Sequence, residues 1–563
     1  MECDMTTLTK SVTAHRKINP DKILLWSMTI FVAIPLLLFL VAPILIVLLK
    51  SFQNDNGDYG IENYINTMSE AHFWKVVLNS LWLASTVTVI AVSLAFIFAY
   101  AMQRSKMPGK KVFSIIAMLP IFAPSLVQAL GLVFLLGRNG VINRWFDLEI
   151  EIYGFWGVVI ADVIYAFPQA FLLISAALAV ADSRPYEAAQ MLGAGKKRIF
   201  FDVTLPGVKF GLISSIFLVF TITITDFGNA MVIGGDFSVL ATEIYNQVAG
   251  QMNFNLGSVV AIVLLIPVVI AFLLERFFGN QKNEHVSDNR SPLVTKKNAL
   301  FDSSMFGVST LICGAILTVI GIVIYASFVK LWPYNMSFTL DNYIIDSQGG
   351  YTPLLTSIYV SLFAALIGVI MVVSSAYVVN KSKGFIVDVI NFFSILPAAI
   401  PGMVLGIAYI FFFNNPSNPL TIIYGSVFIL AVNSVYHYHA QGFLSVSTGL
   451  KQISTTFDET SACLGANRVT TIKKVTLPLL LPVILTIGIF FFMRSMVTLS
   501  SVIFLVSPSV NLAAVSVMLL DDAGNSTQAA AFSTLIILVV LVALVIMNVI
   551  LKLCNVKNKS LIS

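Results

Sequence analysis

One stretch of this sequence occurs twice, first as EAAQMLGAGKKRIFFDVTLP from Glu187 to Pro206 and again as ETSACLGANRVTTIKKVTLP from Glu459 to Pro478. In each copy a glycine follows the glutamate after five residues, and a Leu-Pro pair follows the glycine after eleven. Small residues after the glutamate favour a short helix that can lie close to another protein surface. The glycine is suited to end that helix, and the Leu-Pro pair to begin the next one. The pattern therefore predicts two short helices, each held between longer ones.

The composition around these loops is typical of an integral membrane protein. Of the 563 residues, 58% are hydrophobic and only 11% are charged, and the mean hydropathy is +0.90. A soluble domain has about a quarter charged residues, so this chain lacks the polar surface that water requires. We identify twelve apolar segments, each long enough to cross a bilayer as a helix. They are 23–49, 76–101, 112–136, 154–180, 210–233, 256–278, 306–329, 355–380, 386–413, 420–442, 479–506 and 528–553.

Loop charges predict the orientation of these segments. The loop at 102–111 carries four basic residues and no acid, whereas the loop at 51–74 carries four acids. Because basic loops stay in the cytoplasm, both termini and both copies of the repeated loop are expected there. The predicted organisation is a cytoplasmic N-terminus at 1–22, a first six-helix domain at 23–279 with its loop at 182–209, a cytoplasmic linker at 280–300, a second six-helix domain at 301–554 with its loop at 454–478, and a cytoplasmic tail at 555–563.

The repeat extends beyond the loops. A shift of 277 positions places Leu119-Pro120 on Leu396-Pro397 and Pro124 on Pro401, and a shift of 272 relates the two loops. An even number of spans in each half makes this a parallel repeat, with both copies in the same orientation. The paired prolines are expected to interrupt the third span of each half, either to let it bend during gating or to set its packing.

The repeated loop resembles the EAA loop of the membrane subunits of binding-protein-dependent ABC importers, and the resemblance covers nearly the whole chain. It implies an all-α fold of about twelve transmembrane helices in two parallel six-helix repeats, the type I importer permease fold. It implies two ABC ATPase subunits, a periplasmic or lipid-anchored substrate-binding protein, the bacterial inner membrane as location and no nucleic acid. The residues expected to couple to the ATPases are Glu187, Ala188, Ala189, Gly193, Leu205, Pro206, Glu459, Thr460, Ser461, Gly465, Leu477 and Pro478.

The chain itself is not expected to be an enzyme or to bind a cofactor. Gly195-Lys196-Lys197 lacks both the earlier glycine and the following Ser or Thr of a phosphate-binding loop. ATP and Mg are therefore expected to be used by the partner subunits. Two six-span halves also describe secondary transporters, which are the main alternative. That class does not require a pair of EAA loops.

The second part of each half resembles fused, double-length permeases of 2-aminoethylphosphonate and ferric-iron importers. The residues that carry this resemblance include Asp226-Phe227-Gly228, Gly234-Gly235, the run 240–245 and Arg494-Ser495-Met496. The resemblance favours 2-aminoethylphosphonate as the substrate, with Fe(III) as the alternative and another small anion third.

Three charged residues within apolar segments are candidates for the substrate pathway. Arg494 lies in a span, whereas Ile222 occupies the equivalent position of the first half. A membrane arginine is expected either to contact an anionic substrate or to bond neighbouring helices or snorkel. Asp226 is expected to bind the amine of a zwitterion or to cap a helix, and Asp162 has the same two interpretations. His437 and His439 point to opposite sides of a helix, which predicts interfacial residues at a helix end and no metal site.

Overall fold

The computed structural model describes residues 20–54, 56–278, 297–345, 349–507 and 509–553. The predicted tail, most of the predicted linker and most of the predicted N-terminus lie outside these residues. The described residues are mostly helical, as the sequence predicts, and they include an antiparallel hairpin of β1 (Val329–Leu331) and β2 (Asn335–Phe338).

The described residues of the first half form fifteen α-helices. They are α1 Pro20–Leu36, α2 Ala42–Ser51, α3 Glu62–Ser69, α4 Ala71–Arg104, α5 Lys110–Met118, α6 Leu126–Leu136, α7 Val141–Phe146, α8 Phe155–Ala179, α9 Arg184–Met191, α10 Lys196–Ile199, α11 Leu205–Gly207, α12 Lys209–Ile224, α13 Gly228–Ile233, α14 Leu240–Tyr245 and α15 Phe254–Phe278. Turns of π-helix at 37–41, 200–204 and 246–250 and a 3₁₀ turn at 119–122 continue several of them.

The second half repeats the order of the long helices. Its helices are α16 Ala299–Ala326, α17 Thr352–Lys381, α18 Phe385–Ile395, α19 Gly402–Phe413, α20 Val427–Gln452, α21 Thr456–Cys463, α22 Arg468–Thr471, α23 Leu477–Val497, α24 Ala513–Asp522 and α25 Ser526–Leu553. Here 3₁₀ turns lie at 341–343, 396–399 and 419–423, and a π-helical turn lies at 472–476.

Among the described residues, nine helices are long and apolar enough to cross a membrane, or eleven if two bent pairs each count as one span. The segment predicted at 420–442 is not among them. It corresponds to α20, which starts at Val427 and extends ten residues further, to Gln452. Much of this helix is buried inside the protein, where polar side chains can be bonded without meeting lipid. The segment predicted at 479–506 is also wrong at its end, because α23 stops at Val497.

The paired prolines break the third span of each half. A 3₁₀ turn ends each first piece, and Ala123 and Ile400 are then extended, with ψ of 148° and 115°. Each of these residues precedes a proline, whose ring disfavours the helical conformation of the residue before it. In the second half the two pieces meet at 115°. The interruption predicted from the sequence is thus confirmed, and it places irregular backbone inside the protein.

The two halves exchange their first helices. Helix α1 packs against α17 and α18 of the second half, and α16 packs against α5 and α6 of the first. A side chain at Gly131 on α6 would lie 2.4 Å from the carbonyl oxygen of Val319 on α16, so only glycine permits this approach. Each half therefore packs against the first helix of the other half, and these contacts join the two halves.

Candidate functional site

The repeated loops form two helices with the same ending. Helices α9 and α21 each stop one residue before a leucine, and the glycine after it is left-handed, with φ +75° at Gly193 and +73° at Gly465. In the first copy Ala194 N donates to Ala189 O at 2.9 Å and Gly193 N to Gln190 O at 3.0 Å. The second copy repeats both bonds. This is a Schellman motif, which confirms the prediction of a glycine-ended helix in both halves.

Each loop helix turns an apolar and acidic surface outward. Met191 and Leu192 are 89% and 88% exposed, and Leu464 is 81% exposed. Glu187 and Glu459 are exposed as well. Exposed apolar side chains beside charged ones are typical of a surface that another protein covers. The following Leu-Pro pairs lead into the next spans, with α11 and α12 meeting at 64°.

Equivalent residues anchor the two loop helices to the second span of their own half, but with different chemistry. In the first half the Arg104 guanidinium lies 5.6 Å from the centre of the Tyr186 ring and donates to the Leu178 carbonyl at 3.1 Å. The same two positions in the second half hold Lys381 and Asp458, which form an ion pair. These contacts connect each loop helix to a long membrane helix.

A cavity of about 160 Å³ lies between the halves. Its walls come from α8, α12 and α15 of the first half and α20 and α23 of the second, with the two proline-containing breaks between them. The polar side chains that border it include Tyr165, Asp226, Glu275, His437, Tyr438 and Arg494. Its volume suits one small solute, and its lining offers both positive and negative charge.

Arg494 joins the two halves across this cavity. Its guanidinium carbon lies 4.9 Å from the centre of the Tyr438 ring, and its side chain is hydrogen-bonded to Tyr165 of the first half. Ile222, its counterpart by the repeat, borders the same cavity. The Nε atom of Arg494 is buried without a hydrogen-bond partner among the described residues. Two aromatic side chains therefore hold the arginine in place, and one of its donors has no partner within the described part of the chain.

Asp226 also borders the cavity, and Asp162 lies behind it. The Asp226 carboxylate accepts from Asn229 N at 2.9 Å, where α13 begins, and is hydrogen-bonded to Ser125. Asn229 Nδ2 in turn donates to Asp162 Oδ1 at 2.8 Å. Asp162 is 1% exposed and is not part of the cavity lining. Asp226 thus has both features that the sequence leaves open, a capping bond and access to the pathway, whereas Asp162 supports Asn229.

The second half replaces this acidic network with hydroxyl groups. Thr498 and Ser501 take the positions of Asp226 and Asn229, and their hydroxyls lie 3.2 Å apart. Ser434 takes the position of Asp162. The two sides of the cavity are therefore built from equivalent backbone segments but differ in charge.

At each helix break a serine lies against a glycine. The two residue types exchange places between the halves. In the first half a Cβ on Gly228 would lie 2.4 Å from the Oγ of Ser125. In the second half a Cβ on Gly402, the counterpart of Ser125, would lie 2.4 Å from the Oγ of Ser500, the counterpart of Gly228. Both contacts border the cavity. Each pair leaves room for one hydroxyl and no second side chain.

The histidine prediction is wrong. His437 and His439 lie in the interior of α20 and not at its end, because the helix continues to Gln452. His437 borders the cavity at the position that Tyr165 occupies in the first half, and His439 is fully buried. Extending the repeat into α20 would have revealed the match with Tyr165. No group of three metal-binding side chains occurs in the described part of the chain.

Sequence reasoning also missed Glu275. This residue lies three positions before the end of α15, borders the cavity and is hydrogen-bonded to Ser214. The signal was an acid inside the apolar run 256–278. Acidic residues inside a membrane segment usually face a cavity or a partner. Glu275 is therefore a candidate for the substrate pathway on the same grounds as Arg494.

Two regions of the chain match one known protein family. Residues 91–282 and 364–555 each match the family described as the binding-protein-dependent transport system inner membrane component. The chain belongs to this family. The two matches confirm the predicted fused, double-length permease and its type I permease fold. Permeases of this family are multi-pass membrane proteins that work with ATPase and substrate-binding proteins in ABC importers.

Two relatives that match most of this chain bear names that refer to iron. The ferric transport system permease protein FbpB of Actinobacillus pleuropneumoniae is 28% identical over 526 residues, covering 89% of this chain and 75% of that protein. A putative ferric transport system permease protein of Haemophilus influenzae is 28% identical over 516 residues, covering 89% and 80%. The sulfate transport system permease protein CysW of Synechocystis is 27% identical over 261 residues, covering 44% of this chain and 91% of that protein.

Proposed function

We propose that this permease carries ferric iron through the cavity between its halves. The observation that supports this substrate is the similarity, over 89% of the chain, to two proteins named as ferric transport permeases. The lining is compatible with it, because carboxylate and phenol oxygens from Asp226, Glu275 and Tyr165 suit a hard cation. Arg494 would then face an anion that accompanies the iron.

A second substrate, 2-aminoethylphosphonate, is favoured by the charges of the cavity. Arg494 offers a planar set of donors that suits phosphonate oxygens, and Asp226 offers a carboxylate for the amine. Both groups border the same cavity of about 160 Å³. This arrangement supports a small zwitterion as directly as the names of the relatives support iron.

The proposed cycle uses the two loop helices as levers. One ATPase docks on α9 and one on α21, and each contacts the residues of the repeated loop from glutamate to Leu-Pro. ATP and Mg are bound by these subunits and none by this chain, which is not itself an enzyme. The binding protein delivers the solute from outside to an inner-membrane complex whose two termini are cytoplasmic. Closure of the ATPases moves both helices together and opens the pathway outward, and hydrolysis opens it inward.

The test is uptake by proteoliposomes that contain the permease with its ATPases and binding protein. Radiolabelled Fe(III) and 2-aminoethylphosphonate are offered separately, each to the wild type, Arg494→Met and Arg494→Lys. Ile222→Met is the matched control, because it places the same side chain at the equivalent position of the same cavity. ATP hydrolysis reports whether the complex is assembled.

Uptake of Fe(III) by the wild type is the expected result. Uptake of 2-aminoethylphosphonate alone would refute iron and establish the second substrate. For a cavity contact, Arg494→Met should lower uptake about ten-fold or more, since a hydrogen bond to a charged group contributes about 1.5–3 kcal/mol. Lysine should restore it only partly, and Ile222→Met should stay near wild type. A loss of protein from the membrane in Arg494→Met, with lysine fully tolerated, would instead show a purely structural arginine.

A further inference from the structure

We propose that the groove between α1 and the corner joining α17 to α18 binds one anionic phospholipid. The groove has a volume of about 540 Å³ and opens towards the surface of the protein. Its lining combines two lysines, Lys22 and Lys383, with the apolar side chains of Trp26, Phe385 and Ile386. This is the arrangement that a phosphate headgroup and its acyl chains require.

The position of the groove, beside the first turn of α1, places it at the membrane surface. Lys22 lies in the first turn of α1, and the neighbouring Asp21 carboxylate accepts from Arg468 N at 3.1 Å, in the second repeated loop. The groove therefore lies on the same face as the helices proposed to dock the ATPases. Tryptophan and lysine at such a level are typical of the boundary between headgroups and acyl chains. Trp26 is 58% exposed and Phe385 81% exposed, so both can contact lipid.

Within the described residues, no carboxylate neutralises the positive charge of the groove. Neither Lys22 nor Lys383 has a carboxylate within ion-pair distance among the residues that the structure describes. Asp21 is engaged with Arg468, and Asp388, one turn into α18, does not line the groove.

The equivalent corner of the first half is built differently and provides an internal comparison. Lys106 takes the position of Lys383, but its backbone N donates to the Asp302 carboxylate at 2.8 Å. Asp302 comes from the first turn of α16 and is 8% exposed, so it fills the corner with negative charge. The lining of the second-half groove, in contrast, includes no carboxylate among the described residues. An anionic lipid is thus expected at one corner and not at the other.

The experiment measures lipid retained by the purified full-length chain. Phosphatidylglycerol and phosphatidylcholine with identical acyl chains are titrated, and bound lipid is counted by native mass spectrometry. Lys22→Gln with Lys383→Gln should weaken phosphatidylglycerol binding on the order of 30-fold, since each lysine near the surface contributes roughly a factor of five. Binding to the wild type should weaken at high salt, because the lysines are exposed.

The matched control is Lys106→Gln with Lys111→Gln, which removes the same charge from the first-half corner. Its binding of phosphatidylglycerol should remain that of the wild type. Equal weakening in both double variants, or equal retention of the two lipids by the wild type, would overturn the site. So would displacement of the lipid by inorganic phosphate at equal concentration, because the apolar wall would then contribute nothing. Tighter lipid binding after deletion of residues 2–19 would show that the chain's own N-terminal segment fills the groove, and would also overturn it.

Discussion

Valine at either loop glycine should uncouple the permease without displacing any neighbour. Gly193 and Gly465 have φ of +75° and +73°, and no described atom lies within 4 Å of a Cβ built on either one. The whole effect must therefore come from the backbone. A left-handed conformation costs an L-residue about 1–2 kcal/mol, and a β-branched side chain falls at the upper end of that range. Such a cost should depopulate the loop conformation about 5- to 30-fold.

The chain offers a control for this prediction in the same loop. Gly195 is also surrounded by open space, but its φ of −71° and ψ of 163° are available to any residue. Gly195→Val should therefore remain near wild type. Asparagine tolerates the left-handed region, so Gly193→Asn should recover most of the loss.

The assay is co-purification of the ATPases with tagged permease at limiting ATPase concentration, with uptake measured in parallel. The amount of permease in the membrane serves as the folding control. Gly193→Val and Gly465→Val should each reduce bound ATPase and uptake while the permease still inserts. If these variants behaved like Gly195→Val in both measurements, the loop helices would not be the levers of this transporter.

Two further predictions concern the anchors and the orientation. Asp458→Asn should lower stability by no more than about 1 kcal/mol, because Asp458 and Lys381 are partly exposed, at 40% and 21%. It should nevertheless reduce ATPase-coupled uptake, and exchanging the two residues should restore coupling; an exchange variant no better than Asp458→Asn would contradict the anchor. For the orientation, the exposed native Cys463 should react with a membrane-impermeant thiol reagent only from the cytoplasmic side, and Asp58→Cys only from outside. Labelling of Cys463 from outside would refute the predicted topology.

Local rules predicted the loops and the helix breaks well. The end of each loop helix depends on one glycine, and each break depends on a proline and the residue before it. Such features need no information from distant parts of the chain, so Gly193, Gly465, Ala123 and Ile400 have the backbone expected of them.

Hydropathy predicted the spans less well where protein, and not lipid, surrounds a helix. Helix α20 carries Asn433, Tyr436 and two histidines, which lower its hydropathy and place its predicted end too early. The structure buries Asn433, Tyr436 and His439 between helices, which no window of the sequence can show. The exchange of α1 and α16 between halves was equally inaccessible, because it depends on contacts between segments far apart in the chain.

The cavity shows which properties of the repeat must stay equal and which are free to differ. The serine-glycine contact at the breaks is kept in both halves, although Ser125 and Gly228 exchange residue types as Gly402 and Ser500. This contact is kept although the serine and the glycine exchange places, so it reflects the limited space at the break. Either arrangement leaves room for one hydroxyl group. The charged side chains of the cavity are not repeated in this way, because the first half has Ile222 at the position equivalent to Arg494. Packing at the breaks therefore follows the repeat, as coordinated movement of two halves requires. Charge departs from it, and fusion into one chain makes that departure possible.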